Sequence, residues 1–276
     1  MAVNTPPMYT DTPLSLIPTP KFQTGKVRTY GSGASTWASL LTIVVSNQDD
    51  PFTIEASHMA LSHNAFIRGF NSIYQQAPRL QTSTDKTDFV SYSLAWIECV
   101  KTHHQYEETE LFPNIDKAAG KTGLMDGAVH EHEAFYSGMD RMKDYLVKEG
   151  PDFSATELIA IMDSFKEPLH NHLKAEPSAI VALAKYSTPE NPIDILGIAD
   201  AAGKKQISLG FFLNTVPVFF LNMETVTFED GMWHGVFPPL KGLAKTVVNR
   251  VVPMWHSSWW RFVSCTPEGE LKRLAV

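Results

Sequence analysis

Cysteine is scarce in this 276-residue chain: Cys99 and Cys265 are the only two. That is too few for a disulfide framework or a thiolate zinc site, and it fits a reducing compartment. Basic runs are missing as well. The 23 Lys+Arg stand against 30 Asp+Glu, a formal net charge of −7, so the electrostatic footprint of a nucleic-acid binder is absent. No stretch is cleanly apolar over the ~20 residues that a membrane span needs. The nearest, Ile207 to Met223, is interrupted by Asn214, Pro217 and Asn222. Met1 to Thr24 is rich in Pro and Thr and has neither the basic nor the apolar segment of a secretory signal. These absences predict an intracellular, cytoplasmic protein with no nucleic-acid partner and no stable membrane span. What is present is core-forming material: at 43% hydrophobic, the chain can bury one sizeable core, with or without a smaller appendage.

The texture changes twice. Residues 1–50 hold Pro6, Pro7, Pro13, Pro18 and Pro20 and the Gly31-Ser32-Gly33 turn signal, and read as an N-terminal arm. Within it, Trp37 to Val45 is a short apolar run expected to pack on the body as a strand or a helical turn. Residues 51–186 carry long helical patterns. Pro51 suits the first position of a helix after Asp49 or Asp50, ending near Pro78. A second helix is predicted from Thr84-Asp85 to Ala119, with Gly120 just past its end. A third runs from Gly123 to Gly150. A fourth opens on the capping box Ser154-Ala155-Thr156-Glu157 and runs to about Lys185. Four long helices with short connections predict an all-α, antiparallel up-down four-helix bundle. Residues 187–276, rich in Pro and Trp, read as an irregular C-terminal extension wrapped on that bundle.

Eight of the ten histidines fall in the four helical segments: His58 and His63, His103 and His104, His130 and His132, His170 and His172. An imidazole inside a bundle needs partners for its nitrogens, and four helices each bringing one point to a shared ligand. Residues four apart share a helix face, so His103 faces with Glu107, His104 with Glu108, and His172 with Glu176. Residues two apart diverge, so one of His130 and His132, and one of His170 and His172, is expected to turn outward. Imidazole with carboxylate and no thiolate suits iron rather than structural zinc. Carboxylates projecting from facing helices can bridge two ions.

Four blocks, Met59-Ala-Leu-Ser-His63-Asn64-Ala-Phe-Ile-Arg68-Gly69-Phe-Asn71, His103-His104-Gln-Tyr-Glu107-Glu108-Thr-Glu-Leu111-Phe112-Pro113, His132-Glu-Ala-Phe-Tyr136 and His172-Leu-Lys-Ala-Glu176, resemble the hemerythrin/HHE cation-binding family, especially its fungal members. The ending around Trp259-Trp260-Arg261-Phe262, Cys265 and Gly269 is similar to fungal members too. The resemblance implies a hemerythrin-like bundle with a non-haem di-iron cofactor and O2 as ligand or co-substrate. It implies metal ligands at His63, His103, Glu107, His132, His172 and Glu176, with Glu107 and Glu176 bridging. His58, His104, Glu108 and His130 are then neighbours of the site rather than ligands.

One position departs from the family pattern. A second third-helix histidine is common four residues after the first, and here Tyr136 stands in its place. Tyr136 is therefore either a candidate catalytic or ligating residue, or a packing residue bonded to a carboxylate such as Glu107 or Glu176. Pro168 and Pro177 flank the fourth-helix ligands, so that helix is expected to bend there or to end near Pro177. Three functions follow: an iron protein binding O2 or another diatomic, an O2-dependent oxidase or oxygenase of a small organic substrate, or an iron or redox sensor. For the second, Trp233, His234, Phe237, Trp255, His256, Trp259 and Trp260 of the extension are candidate pocket residues.

Overall fold

The first long helix begins where the sequence supplies an acceptor for its orphan amides. In the computed structural model, which describes residues 5–24, 50–205, 208–240 and 242–276, the Asp50 carboxylate accepts from the N–H groups of Phe52 and Thr53. Pro51 takes the first helical position, where no N–H is needed. Helix α1 (Pro51–Gln76) ends in the short 3-10 turn Ala77–Arg79. Helix α2 (Ser83–Tyr106) starts on Thr82, whose hydroxyl accepts from the Asp85 N–H. It passes into a π-helical turn, Glu107–Leu111, and on through α3 (Phe112–Ala119) to Gly120, which closes the helix at a left-handed φ of 62°. Helix α4 (Asp126–Glu149) follows, and α5 (Ala155–Ala182) opens on Ser154, which accepts from the Glu157 N–H.

Pro168 and Pro177 both lie inside α5, so the helix does not end near Pro177. Beyond that residue Ile180 and Leu183 are buried in an apolar cluster with Phe52, Phe112 and Ile195, and that packing carries the helix past the missing hydrogen bond. Among the described residues no β-strand forms. The extended segments meet only in isolated bridges, Met8 with Arg273 and Cys265 with Leu271.

Helix α1 packs on α2 and α5, and α4 packs on α2 and α5. The interior is layered. One apolar cluster gathers Phe66, Phe70, Trp96, Val100, Phe135, Phe165 and Leu169. A second, farther along the same helices, gathers Phe52, Met59, Leu111, Ala128 and Ile180. On every long helix the candidate ligands fall where one cluster gives way to the other: His63 between Met59 and Phe66, His103 between Val100 and Leu111, His132 between Ala128 and Phe135, and His172 with Glu176 between Leu169 and Ile180. A band of imidazoles and carboxylates is thus enclosed by hydrocarbon at both ends. Close approach of α1 and α2 depends on Gly69, where a Cβ would fall 2.4 Å from Cδ1 of Trp96. The Trp96 indole donates to the Phe66 carbonyl at 3.0 Å.

The described part of the first 50 residues is pinned to α1 by two asparagines seven residues apart. Asn64 accepts from the Ile17 N–H and donates to the Ile17 carbonyl, both at 2.8 Å. Asn71 does the same with Leu14, at 2.9 and 2.8 Å. Each amide side chain imitates one step of a β-ladder, so a strand-like segment is held with no sheet. Gly31, Gly33 and the Trp37 to Val45 run lie outside the described residues.

The tail is more helical than its proline content predicts. Helices α6 (Ile195–Lys205), α7 (Leu209–Asn214), α8 (Val216–Phe220) and α9 (Gly242–Thr246) form between the prolines. Pro217 sits in the first turn of α8, the one place where a helix accepts it at no cost. Helix α6 contacts α1, and α8 contacts α1 and α2. Glu229 ties tail to arm, accepting from the Thr19 N–H and hydroxyl and from the Trp233 indole.

Candidate metal centre

Seven polar side chains occupy the band between the apolar clusters. His63, His104, Glu107, His132, His172 and Glu176 are 0–1% exposed, and His103 is 9% exposed. They form two groups. In the first, Nε2 of His63 lies 3.3 Å from Nε2 of His103, which is 2.8 Å from Oε1 of Glu107. In the second, Nε2 of His132 and His172 are 3.1 Å apart, and His104 joins them: one donor atom each of His104, Glu107, His132 and His172 lies within 4.8 Å of the others. Both carboxylates reach both groups. Oε2 of Glu107 is 3.7 Å from His132, and Oε2 of Glu176 is 3.3 Å from His63 and 3.5 Å from His172.

Proton positions show what this arrangement can hold. Nδ1 of His63 donates to the Leu173 carbonyl at 2.7 Å, an acceptor that fixes the hydrogen on that nitrogen. Nδ1 of His132 faces Glu108 at 2.6 Å and Nδ1 of His172 faces Glu131 at 3.1 Å. Carboxylates only accept, so these rings also carry their hydrogen on Nδ1. Nε2 of His132 and of His172 are then bare lone pairs pointed at each other across 3.1 Å. Protonation of His172 is disfavoured, because burial holds it down at about 3, with the neighbouring His63 and His132 adding to it against Glu176. Burial, and then the other histidines, likewise push His103 and His104 well below the ordinary histidine range.

The carboxylates are under similar stress. Burial, then the charges of Glu176 and Glu108, push Glu107 well above the usual carboxyl range. For Glu176, burial pushes upward but is outweighed by His63 and His172, which hold it below that range. Among the described residues, none of the four oxygens of Glu107 and Glu176 has a hydrogen bond, and neither does either nitrogen of His104. A buried polar atom without a partner is costly. Converging lone pairs and orphaned oxygens have a common remedy in a cation, so the residues present fit a metal bound by nitrogen and oxygen.

A π-turn begins at Glu107, directly after α2. Regular spacing would set His103 with Glu107 and His104 with Glu108 on adjacent faces. In the structure the Glu107 N–H bonds to the carbonyls of both His103 and His104, and the Phe112 N–H reaches back to the Glu107 carbonyl. His103, His104 and Glu107 are all buried where α2 gives way to this wider turn, and Glu108 reaches His132, a placement of π-helix common at functional sites. His104 packs 4.4 Å from His132 and 5.1 Å from Phe135, ring centre to ring centre. It belongs with the second group, although the family resemblance placed it outside the ligand set.

Tyr136 is half-buried, and its hydroxyl donates to Oε1 of Glu108 at 3.4 Å. Its carboxylate partner is therefore Glu108 and not Glu107 or Glu176. Burial, then Glu108 and Glu107, push the phenol well above its ordinary pKa, which favours the neutral form. His130 is exposed beside Glu133, and His170 donates to the Ser15 carbonyl, so each closely spaced pair splits as its geometry requires. His58 stacks on Phe237 at 4.8 Å, away from the cluster. Sequence reasoning missed Glu131, which no pattern marks. It also set aside His104, for which the gap at Tyr136 was the available signal.

Comparison with known proteins agrees with this centre. Residues 56–184 match the family described as Hemerythrin HHE cation binding domain, a span that contains every candidate ligand. The chain is 30% identical over 220 residues, 79% of its length and 81% of the relative's, to "Dimeric xanthone biosynthesis cluster protein R11" of Cryptosporiopsis sp. (strain 8999). No solved structure matches the chain.

Proposed function

The chain belongs to the hemerythrin HHE cation-binding family, and from that premise we propose that it is a non-haem di-iron protein that binds dioxygen or another diatomic. The observation that carries this reading is the reach of Glu107 and Glu176 into both histidine groups, as two ions sharing two carboxylates require. In this reading residues 51–186 form the antiparallel up-down four-helix bundle, 1–50 its arm and 187–276 its extension.

His63 and His103 would hold one iron, and His132, His172 and His104 the other. His104 supplies the imidazole that Tyr136 cannot. Iron bound there would supply dioxygen binding and the electrons to reduce it. The protein's own part is positioning. Leu173, Glu108 and Glu131 lock three rings with Nε2 inward, as outer partners of metal-bound histidines do, and Tyr136 steadies Glu108. The apolar clusters on either side keep water from the band.

A second reading is O2-dependent oxidation of a small organic molecule. It is favoured by the relative, whose printed name places it in a biosynthesis cluster. Iron per chain, measured with the visible spectrum before and after exposure of ferrous-loaded protein to air, tests both. About two irons and a spectral change reversed by removing O2 would fit the first reading. Oxygen uptake requiring a reductant or organic substrate would fit the second. Iron absent after anaerobic ferrous reconstitution would end both.

A further inference from the structure

One face of the centre is not closed by the bundle. A cleft of about 370 Å³ lies between α1, α2 and the tail, and of the seven metal-centre residues only His103 lines it. That residue is also the most exposed of the seven, at 9%. Its ring stands between Phe66, at 4.8 Å, and Tyr106, at 5.1 Å, both edge-on and both lining the cleft. The opposite walls come from Phe211, Phe219 and Phe220 and from Pro238 and Pro239, and Phe219 reaches Phe66 at 6.0 Å. The tail therefore does supply pocket walls, but from α7, α8 and a Pro-Pro turn. The tryptophans singled out in the sequence stand elsewhere.

We propose that this cleft binds a planar aromatic molecule of about two or three fused rings, bearing a carbonyl or phenol oxygen, against the edge of His103. The volume suits a small organic ligand. The lining decides its class: beside the paired Asp200 and Lys204, rings and prolines give flat, rigid faces that favour stacked or edge-on aromatic partners over a flexible chain. The polar anchor is Tyr106, which lines the cleft and packs edge-on against His103; its hydroxyl is the group a ligand oxygen would pair with. His103 lines the cleft and its Nε2 lies 2.8 Å from Oε1 of Glu107, so a ligand held there is one residue removed from that carboxylate. The proposal deepens the organic-substrate reading above, and rests on it for the significance of His103.

The test is calorimetric titration of the full chain, metal-free and iron-loaded, with 9-fluorenone, with fluorene (the same rings without the oxygen) and with dodecanoate. Fluorenone should bind best. Tyr106→Phe should weaken it about 3- to 10-fold, the loss of one hydrogen bond, and leave fluorene unchanged. Gly203 lines the cleft, and a Cβ there meets nothing within 4 Å. Gly203→Phe should therefore fill the space and abolish fluorenone binding while metal content stays unchanged. In the iron-loaded protein the proton resonances of bound fluorenone should broaden. No fluorenone binding, preference for dodecanoate, indifference to Gly203→Phe, or binding without broadening in iron-loaded protein would each overturn the proposal. If the chain takes up no metal, the di-iron reading fails, and the metal-free titrations still decide the cleft.

Discussion

Replacing His104 by leucine should make the metal-free protein more stable and the metal-bound protein poorer in iron. Both nitrogens of this fully buried ring lack partners among the described residues. An unsatisfied buried polar group costs about 1–3 kcal/mol, whereas leucine has similar bulk and no polar atom. Metal-free His104→Leu should therefore gain on the order of 1–3 kcal/mol, which at roughly 2–4 °C per kcal/mol is several degrees in Tm. The same change removes one donor from the second histidine group. Removing even an outer partner of a metal ligand costs about 10–100-fold in affinity, so iron per chain should fall toward one. The assay is paired: calorimetric melting in excess chelator, and iron content after ferrous reconstitution and desalting. A variant that melts lower than the parent in chelator and keeps its full iron would refute the reasoning. His104 would then be a core ring whose packing outweighs its unsatisfied nitrogens.

Three further predictions concern the surroundings of the centre. Glu108→Ala removes the acceptor that fixes the His132 hydrogen, so competition with a chelator should show iron affinity about 10–100-fold weaker with the fold unchanged. The burial that holds His172 at about 3, against roughly 6.5 in an unfolded chain, makes the unfolded state bind the proton first as pH falls. Stability of the metal-free protein should be fully present above about pH 6.5 and lost progressively toward pH 3; a urea midpoint that stays flat from pH 7 to 4.5 would contradict this. Asn71→Leu strands the Leu14 N–H and carbonyl, and should cost about 2–4 kcal/mol in urea unfolding while speeding proteolysis near residue 14.

Much of this was legible because the relevant signals are local. Asp50 with Pro51, Ser154 with Glu157, and Gly120 mark helix ends through single backbone hydrogen bonds or one dihedral, and the structure uses all three. That one of His130 and His132, and one of His170 and His172, turns outward follows from two-residue spacing; that these are His130 and His170 is implied only by the family resemblance. What escaped is what depends on distance. Neighbouring helix residues point about 100° apart, so a rule that pairs His103 with Glu107 and His104 with Glu108 could not bring His103 and His104 inward together. Glu131 reaches His172 across two helices. The continuation of α5 past Pro177 agrees with the expected end near Lys185 and not with the alternative end near Pro177; it is secured by Ile180 and Leu183 finding a cluster built from other segments. Burial of that kind is a tertiary fact, and it overrides the local preference of proline.

The paired asparagines of α1 bear on how this protein can be cut. A fragment trimmed to the family match, residues 56–184, would retain every donor atom of the metal centre. It would also discard Asp50 and Pro51, which start the first helix, and both backbone partners of Asn64, the residue next to His63. Gln76 and Ser72 would lose the Phe262 carbonyl, leaving a row of amide and hydroxyl groups along the helix that carries the first ligand. Such a minimal domain would be complete as coordination chemistry and deficient as a folding unit, so its failure to hold iron would not count against the ligands it contains.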